Sequence, residues 1–235
     1  MKFFGLATLI FTEINALSLN ELEALTIELV KTSDLFTPEL RALTQQQMGL
    51  LNDYGCWCYF QDNHGAGKGR PTDVFDSLCK ELHDGYECII HDMENAGTPC
   101  IPWLIPYSSA FGGGLPGGLS EADLISTCET ENGGSNTCES MACKVEGKFV
   151  QDYFLQSLQG VIIDQSKRHA NGFDTKTECP TSNGIKSEKE CCGSYPNRYP
   201  FKSYGGARAC CGSATYNADM YSCCSDGSIK FSCLP

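Results

Sequence analysis

The sequence predicts a mainly α-helical, disulfide-rich protein with two long helices and a small, irregular, cysteine-rich module near its C-terminal end. Apolar residues of the segment 71–93 recur every three or four positions, as they do on one face of a helix. A second segment, 143–159, shows similar spacing. The chain holds 16 cysteines among 235 residues, several times ordinary usage, which indicates an oxidising compartment.

The first predicted helix carries the pair His83-Asp84 in its middle. Pro71 at its start and Gly97 beyond its end are typical of helix boundaries. Adjacent helical residues point about 100° apart, so His83 can line a cleft while Asp84 faces a neighbouring loop. The segment 54–69 just upstream is glycine-rich and contains two cysteines, as such a loop requires. An imidazole beside a carboxylate and such a loop indicates a general base next to a calcium site.

At these residues the chain resembles a known family. The run YGCWC at 54–58, the glycines before Pro71, and a helix bearing Cys79 and then His83-Asp84 resemble the core of secreted phospholipase A2. In that family a YGCxC calcium loop leads through glycines and a proline into a helix with cysteine and then His-Asp. Two departures stand out: the loop before Pro71 is longer, and the adjacent cysteine pair of the family is reduced to Cys79.

The second predicted helix extends the resemblance. The run CESMACKVE at 138–146 is similar to the family pattern CExxxCxCD, whose aspartate orients the catalytic histidine. Glu146 stands at the aspartate position, and Val145 replaces a cysteine. Counted from His83, Tyr86 falls where the family places the bridging partner of that cysteine, which suggests that one disulfide was lost as a unit. The family tyrosine that supports the aspartate falls at Glu87 in this register.

The resemblance assigns catalytic roles to two residues. His83 takes the proton from water as general base, and Glu146 fixes its tautomer and stabilises the imidazolium. Without the surrounding motifs, a His-Asp pair on a helix is usually a surface pair. We interpret His91-Asp92, which repeats the dipeptide eight residues later without a glycine loop, as an exposed pair at the helix end.

The resemblance also implies a calcium ion. Asp84 supplies a carboxylate, and backbone carbonyls of the loop complete the oxygen shell that this cation prefers. Trp57, Gly65 and Gly67 are the expected carbonyl donors. Counting forward from Cys58 places Tyr59 there instead, but we favour the glycines because a tight turn needs their permissive backbone.

The cysteines divide the chain. Eight lie at 56–143 and eight at 179–233, so each half can close its own bridges. We therefore predict a phospholipase A2-like domain at 52–165 and a di-cysteine-rich module at 179–235, joined by a charged linker. The module has three Cys-Cys steps and resembles the repeats of galaxin-like matrix proteins. A thiolate zinc site is the alternative for a cysteine-dense chain, but an oxidising route consumes free thiols.

The N-terminal residues predict secretion. Residues 1–18 combine a basic start, an apolar run and small residues at a cleavage point, as a signal peptide does, although a buried helix is the alternative. Residues 19–51 form a helical segment interrupted at Pro38. It either packs on the core or is a propeptide, and the sequence leaves both open.

Large apolar residues occur between the two helices, in a stretch rich in glycine and proline. Trp103, Ile105, Tyr107 and Phe111 are either core plugs or the lip of a lipid-binding mouth. The run that starts at Ser120 has the features of a further helix start.

Together these features predict a secreted, calcium-dependent phospholipase A2-like hydrolase that cleaves the sn-2 ester of phospholipids at a membrane surface. The net charge of −12 excludes a nucleic-acid partner and favours zwitterionic over anionic lipid. One alternative is a catalytically silent relative that binds lipid or calcium. Another is an extracellular matrix or biomineral-associated protein that makes its contacts through the C-terminal module.

Overall fold

The computed structural model describes residues 38–60, 65–108, 120–181 and 186–233. The predicted signal peptide, residues 19–37 and Phe111 lie outside the described residues. The α-helices are α1 (Pro38–Gly49), α2 (Val74–Asn95), α3 (Glu121–Glu131), α4 (Cys138–Leu158) and the single turn α5 (Thr175–Glu178). Short 3₁₀ turns lie at Pro102–Leu104, Gln165–Lys167 and His169–Asn171. None of the described helices has the length and apolar character that crossing a membrane requires.

Helices α2 and α4 form the antiparallel pair that the sequence predicts. The Phe75 ring lies 5.6 Å from the Tyr153 ring, whereas the Tyr86 hydroxyl, further along α2, donates to Glu146, nearer the start of α4. Partners therefore run in opposite directions along the two helices. Asp73 caps α2 by accepting a hydrogen bond from the Asp76 amide.

Helix α1 packs on this pair. Met48 and Leu51 are 0% and 1% exposed and belong to the apolar core. The Tyr153 hydroxyl donates to the Thr44 carbonyl at 2.9 Å. The Gln47 side chain accepts from the Ile163 amide at 2.8 Å. The part of residues 19–51 from Pro38 onward therefore packs on the core, and a propeptide stays the alternative.

All 16 cysteines are bridged, but two of the bridges cross between the halves of the chain. Cys56 bonds Cys179, and Cys88 bonds Cys191. The expectation that each half closes its own bridges is wrong. An even count permits internal closure without requiring it, and the first two cysteines of the C-terminal half lie against the 54–58 loop and α2. The remaining bridges stay within one half: 58–79, 100–138, 128–143, 192–210, 211–223 and 224–233.

The C-terminal module is more regular than predicted, because it consists of three antiparallel two-stranded hairpins. They are β1 (Lys189–Cys192) with β2 (Tyr199–Lys202), β3 (Arg208–Cys211) with β4 (Ala214–Asn217), and β5 (Ser222–Cys223) with β6 (Ile229–Lys230). Successive side chains of a strand point to opposite faces. A Cys-Cys step can therefore join two different neighbours, as Cys191 and Cys192 do with Cys88 and Cys210.

The first hairpin docks on α2. Asp92 accepts two hydrogen bonds from the Arg198 guanidinium, at 2.7 and 3.0 Å, and one from the Tyr195 hydroxyl at 3.0 Å. Interpreting His91-Asp92 as an exposed pair is therefore wrong for Asp92, since the module covers this end of the helix. Lys189 adds an ion pair with Glu87.

Candidate functional site

The loop at 54–58 is held by the carboxylate of Asp76, which is 0% exposed. That carboxylate accepts from the amides of Cys56 at 2.8 Å, Trp57 at 2.7 Å and Thr72 at 2.8 Å. Burial raises the pKa of Asp76, and the three amide donors oppose this by favouring the charged form. Gly55 is required here, because a Cβ at this position, with φ of +58°, would lie 2.5 Å from the Asp76 Cγ.

The segment predicted as a linker also holds this loop. The Gly55 amide donates to the Lys167 carbonyl at 2.9 Å, and Gly55 O lies 2.8 Å from His169 Nε2. Lys167 forms an ion pair with Asp73 at 2.8 Å. Sequence reasoning missed Asp76, Lys167 and His169. The sequence feature that could have identified Asp76 was its position three residues after the helix cap, from which a side chain can reach back to the preceding loop.

Two of the predicted carbonyl donors lie together. A Cβ on Gly67 would lie 2.4 Å from the Trp57 ring, so the indole packs directly on this glycine. The indole nitrogen donates to the Gly69 carbonyl at 3.1 Å, and the Trp57 carbonyl accepts from the Tyr59 amide at 2.8 Å. Gly65 is exposed, and a Cβ there would meet no atom within 4 Å.

Asp84 is paired with Lys80, one helical turn earlier. The ammonium of Lys80 also lies 5.1 Å from the centre of the Trp57 ring, so it sits between Asp84 and the loop. Burial raises the pKa of Asp84, and the neighbouring Lys80 opposes this. The Asp84 side chain is only 14% exposed.

This arrangement does not fit a calcium ion beside Asp84. Calcium takes six to eight oxygens, and a fixed ammonium already neutralises the one carboxylate of the predicted ligand set. Within the described parts of the chain, no group of three or more His, Cys, Asp or Glu side chains is suited to a metal ion. The calcium site therefore stays a prediction from the resemblance, and we derive no step through the ion.

Glu146 is buried, at 2% exposure, and two tyrosines bind it. The Tyr86 hydroxyl donates to Oε1 at 2.9 Å, and the Tyr107 hydroxyl donates to Oε2. Tyr107, 4% exposed, is therefore a core plug with a polar function. The expectation that Glu87 takes the place of the supporting tyrosine is wrong, since Tyr86 makes that contact.

The register of α2 against α4 differs by one residue from the one predicted. Val145 faces Gly85 rather than Tyr86, because a Cβ on Gly85 would lie 2.7 Å from a Val145 methyl. In the family pattern, the cysteine partner and the supporting tyrosine follow the histidine by three and four residues. Gly85 and Tyr86 follow Leu82 by three and four. Leu82, 1% exposed, thus stands at the position that the pattern gives to the histidine.

His83 lies one residue beyond this position. Its ring is half-buried, and its centre is 6.3 Å from that of Tyr86, edge to face. The Nε2 atom is buried. Tyr86 therefore connects His83 to Glu146, and the roles of His83 and Glu146 stay predictions.

An apolar surface lies next to these residues. Trp103 is half-buried and packs on Tyr86, with ring centres 5.9 Å apart. Its neighbours Ile101 and Leu104 are 48% and 62% exposed. The 3₁₀ turn thus plugs the core with one side and presents apolar groups to solvent with the other.

Comparisons with known proteins agree with this distant likeness. The chain is 29% identical over 94 residues to the acidic phospholipase A2 KBf-grIB of Bungarus fasciatus. The match spans 40% of this chain and 54% of that relative, about half its length. No family model and no solved structure matches the chain. The likeness and the eight disulfides support a distant relationship to phospholipase A2 and an extracellular location. The galaxin-like character of the module stays a prediction.

Proposed function

We propose that this is an extracellular, phospholipase A2-like protein that binds phospholipid without hydrolysing it by the family mechanism. The observation that carries the proposal is the register: Leu82, rather than His83, lies four residues before the tyrosine that binds Glu146. A leucine can neither accept a proton from water nor be oriented by a carboxylate. The Lys80–Asp84 ion pair supports the proposal, since it compensates the one carboxylate of the predicted calcium ligands.

The lipid side of the proposal rests on exposed apolar groups. Ile101 and Leu104 form a small apolar lip beside Trp103, and such groups favour insertion into a lipid interface. The net charge of −12 opposes anionic bilayers. The expected partner is therefore the surface of zwitterionic phospholipid, bound peripherally.

The test compares binding with turnover on the same vesicles. The full chain is mixed with phosphatidylcholine vesicles, with calcium or with chelator, and both flotation and fatty-acid release are measured. We expect calcium-independent flotation and no fatty-acid release above background. The matched variant Leu104→Ser should weaken flotation, whereas His83→Gln should leave it unchanged. Absence of flotation under every condition would refute the proposal.

Hydrolysis of the sn-2 ester is the second candidate. It is favoured by Glu146, a buried carboxylate held by two hydroxyl donors, with the His83 ring against one of them. In this candidate His83 takes the proton from water, and Glu146 positions it through Tyr86. Fatty-acid release that requires calcium and disappears in His83→Gln would establish this candidate and replace our first proposal.

A further inference from the structure

A cavity of about 400 Å³ lies between the helix pair and the C-terminal module. Its floor is apolar and is formed by Leu78 and Leu82 from α2 and by Val145 and Phe149 from α4. Each of these side chains is at most 7% exposed, so the floor is continuous with the core. His83 and Trp57 do not line it, and Asp84 is the one predicted site residue that does.

The rim carries charges of both signs. Lys80 pairs with Asp84 on the α2 wall, and Lys148 pairs with Asp152 on the α4 wall. The lining adds Glu81 and Arg198, and the Arg198 guanidinium is already paired with Asp92, which does not line the cavity. An anionic headgroup would therefore face three carboxylates, and a simple cation would face the two lysines and the paired Arg198. A zwitterionic headgroup can place its negative group against a lysine and its positive group against an aspartate of these ion pairs, so that every charge stays compensated.

The module builds the outer wall. Residues 196–200 close the cavity from above, and the Cys88–Cys191 bridge and the Arg198–Asp92 contact fix them on α2. The volume lies near the lower end of the range for ligand pockets, which suits one aliphatic chain rather than two.

We propose that this cavity binds a single-chain zwitterionic lipid, with the chain on the apolar floor and the headgroup between the two lysine–aspartate pairs. The proposal rests on the lipid-binding function above and assigns its lipid to a place away from His83. It gives the C-terminal module a specific role, because the cavity exists only where the module covers the helices.

The test uses the full, disulfide-bonded chain and dodecylphosphocholine held below its critical micelle concentration. Calorimetric titration should show one site per chain. Leu78→Trp fills the floor and should abolish binding. If that variant misfolds, Asn197→Trp replaces it, because Asn197 also lines the cavity but is exposed, and it should likewise abolish binding. Lys148→Glu should weaken binding by about tenfold or more, whereas Lys176→Glu, the same charge change outside the cavity, should alter it less than about twofold.

Three results would overturn the inference. The first is unchanged affinity in folded Leu78→Trp and Asn197→Trp. The second is equal affinity for laurate, a single-chain anion, which would contradict the charge argument. The third is loss of binding in Leu104→Ser together with unchanged binding in the cavity variants, which would show that the lipid binds at the apolar lip. That result leaves the proposed function standing, whereas absence of both monomer binding and vesicle flotation refutes the function itself.

Discussion

The first turn of α2 and its middle meet their partners in different ways. At the first turn, Asp73 caps the helix, and Asp76 accepts from two amides of the 54–58 loop and from the Thr72 amide just before the helix. In the middle, the His83-Asp84 motif is present, but the contacts of α2 with α4 are shifted by one residue from the predicted register. The comparison teaches that a chain can contain the residues of a motif while helix packing brings different residues to the positions that the motif predicts.

The largest expected effect is at the first turn. Asp76→Ala leaves three amides without their buried acceptor and should lower the free energy of unfolding by about 3–5 kcal/mol. Asp84→Ala removes one ion pair and should cost about 1 kcal/mol or less. Denaturant unfolding of both variants with disulfides intact is the measurement. Equal losses would show that the first turn and the middle of the helix do not differ in this way.

A smaller effect tests the register in the middle. Leu82→His places an imidazole four residues before Tyr86, on the face that meets Glu146, and should cost about 2–3 kcal/mol through lost apolar burial. The nearby carboxylate should raise the pKa of the introduced imidazole above its value in the double variant Leu82→His with Glu146→Gln, in which the burial is the same. NMR titration of the introduced histidine in the two variants gives this comparison. Equal pKa values would mean that the residue does not face Glu146.

The smallest effect is a pH dependence. Burial raises the pKa of Asp84 in the folded state above its unfolded value, with Lys80 opposing. The folded chain therefore binds this proton more readily, and the contribution of Asp84 to stability falls as pH rises through the interval between the two pKa values. Asp84→Asn should remove this component, on the order of 0.5 kcal/mol, from unfolding curves measured at pH 3 to 7. A wild-type-minus-variant difference that grows with pH would contradict the sign.

Much of the local structure followed from local patterns. The apolar spacing and the turn residues predicted α2, which runs from Val74 to Asn95, and Pro38 marked the start of α1. Ser120 was expected to start a helix, and it caps α3. Helix boundaries depend on neighbouring residues along the chain, so the sequence carries this information directly.

The site was less accessible to sequence reasoning. Counting from His83 placed Tyr86 opposite Val145, but Gly85 occupies that place and frees Tyr86 for Glu146. A one-residue change turns a helical side chain by about 100°, which no motif count detects. His169 and Lys167, from a segment without periodicity, reach the loop only because the chain folds back on it.

The sequence by itself determined the helices, the oxidised state of the cysteines and the distant likeness to phospholipase A2, because these depend on composition and on short spacings. Only the tertiary structure decided the cysteine partners, the register of α2 on α4 and the cavity beneath the module. Those features depend on distances between residues far apart in the chain. Such distances are fixed by packing of the whole molecule.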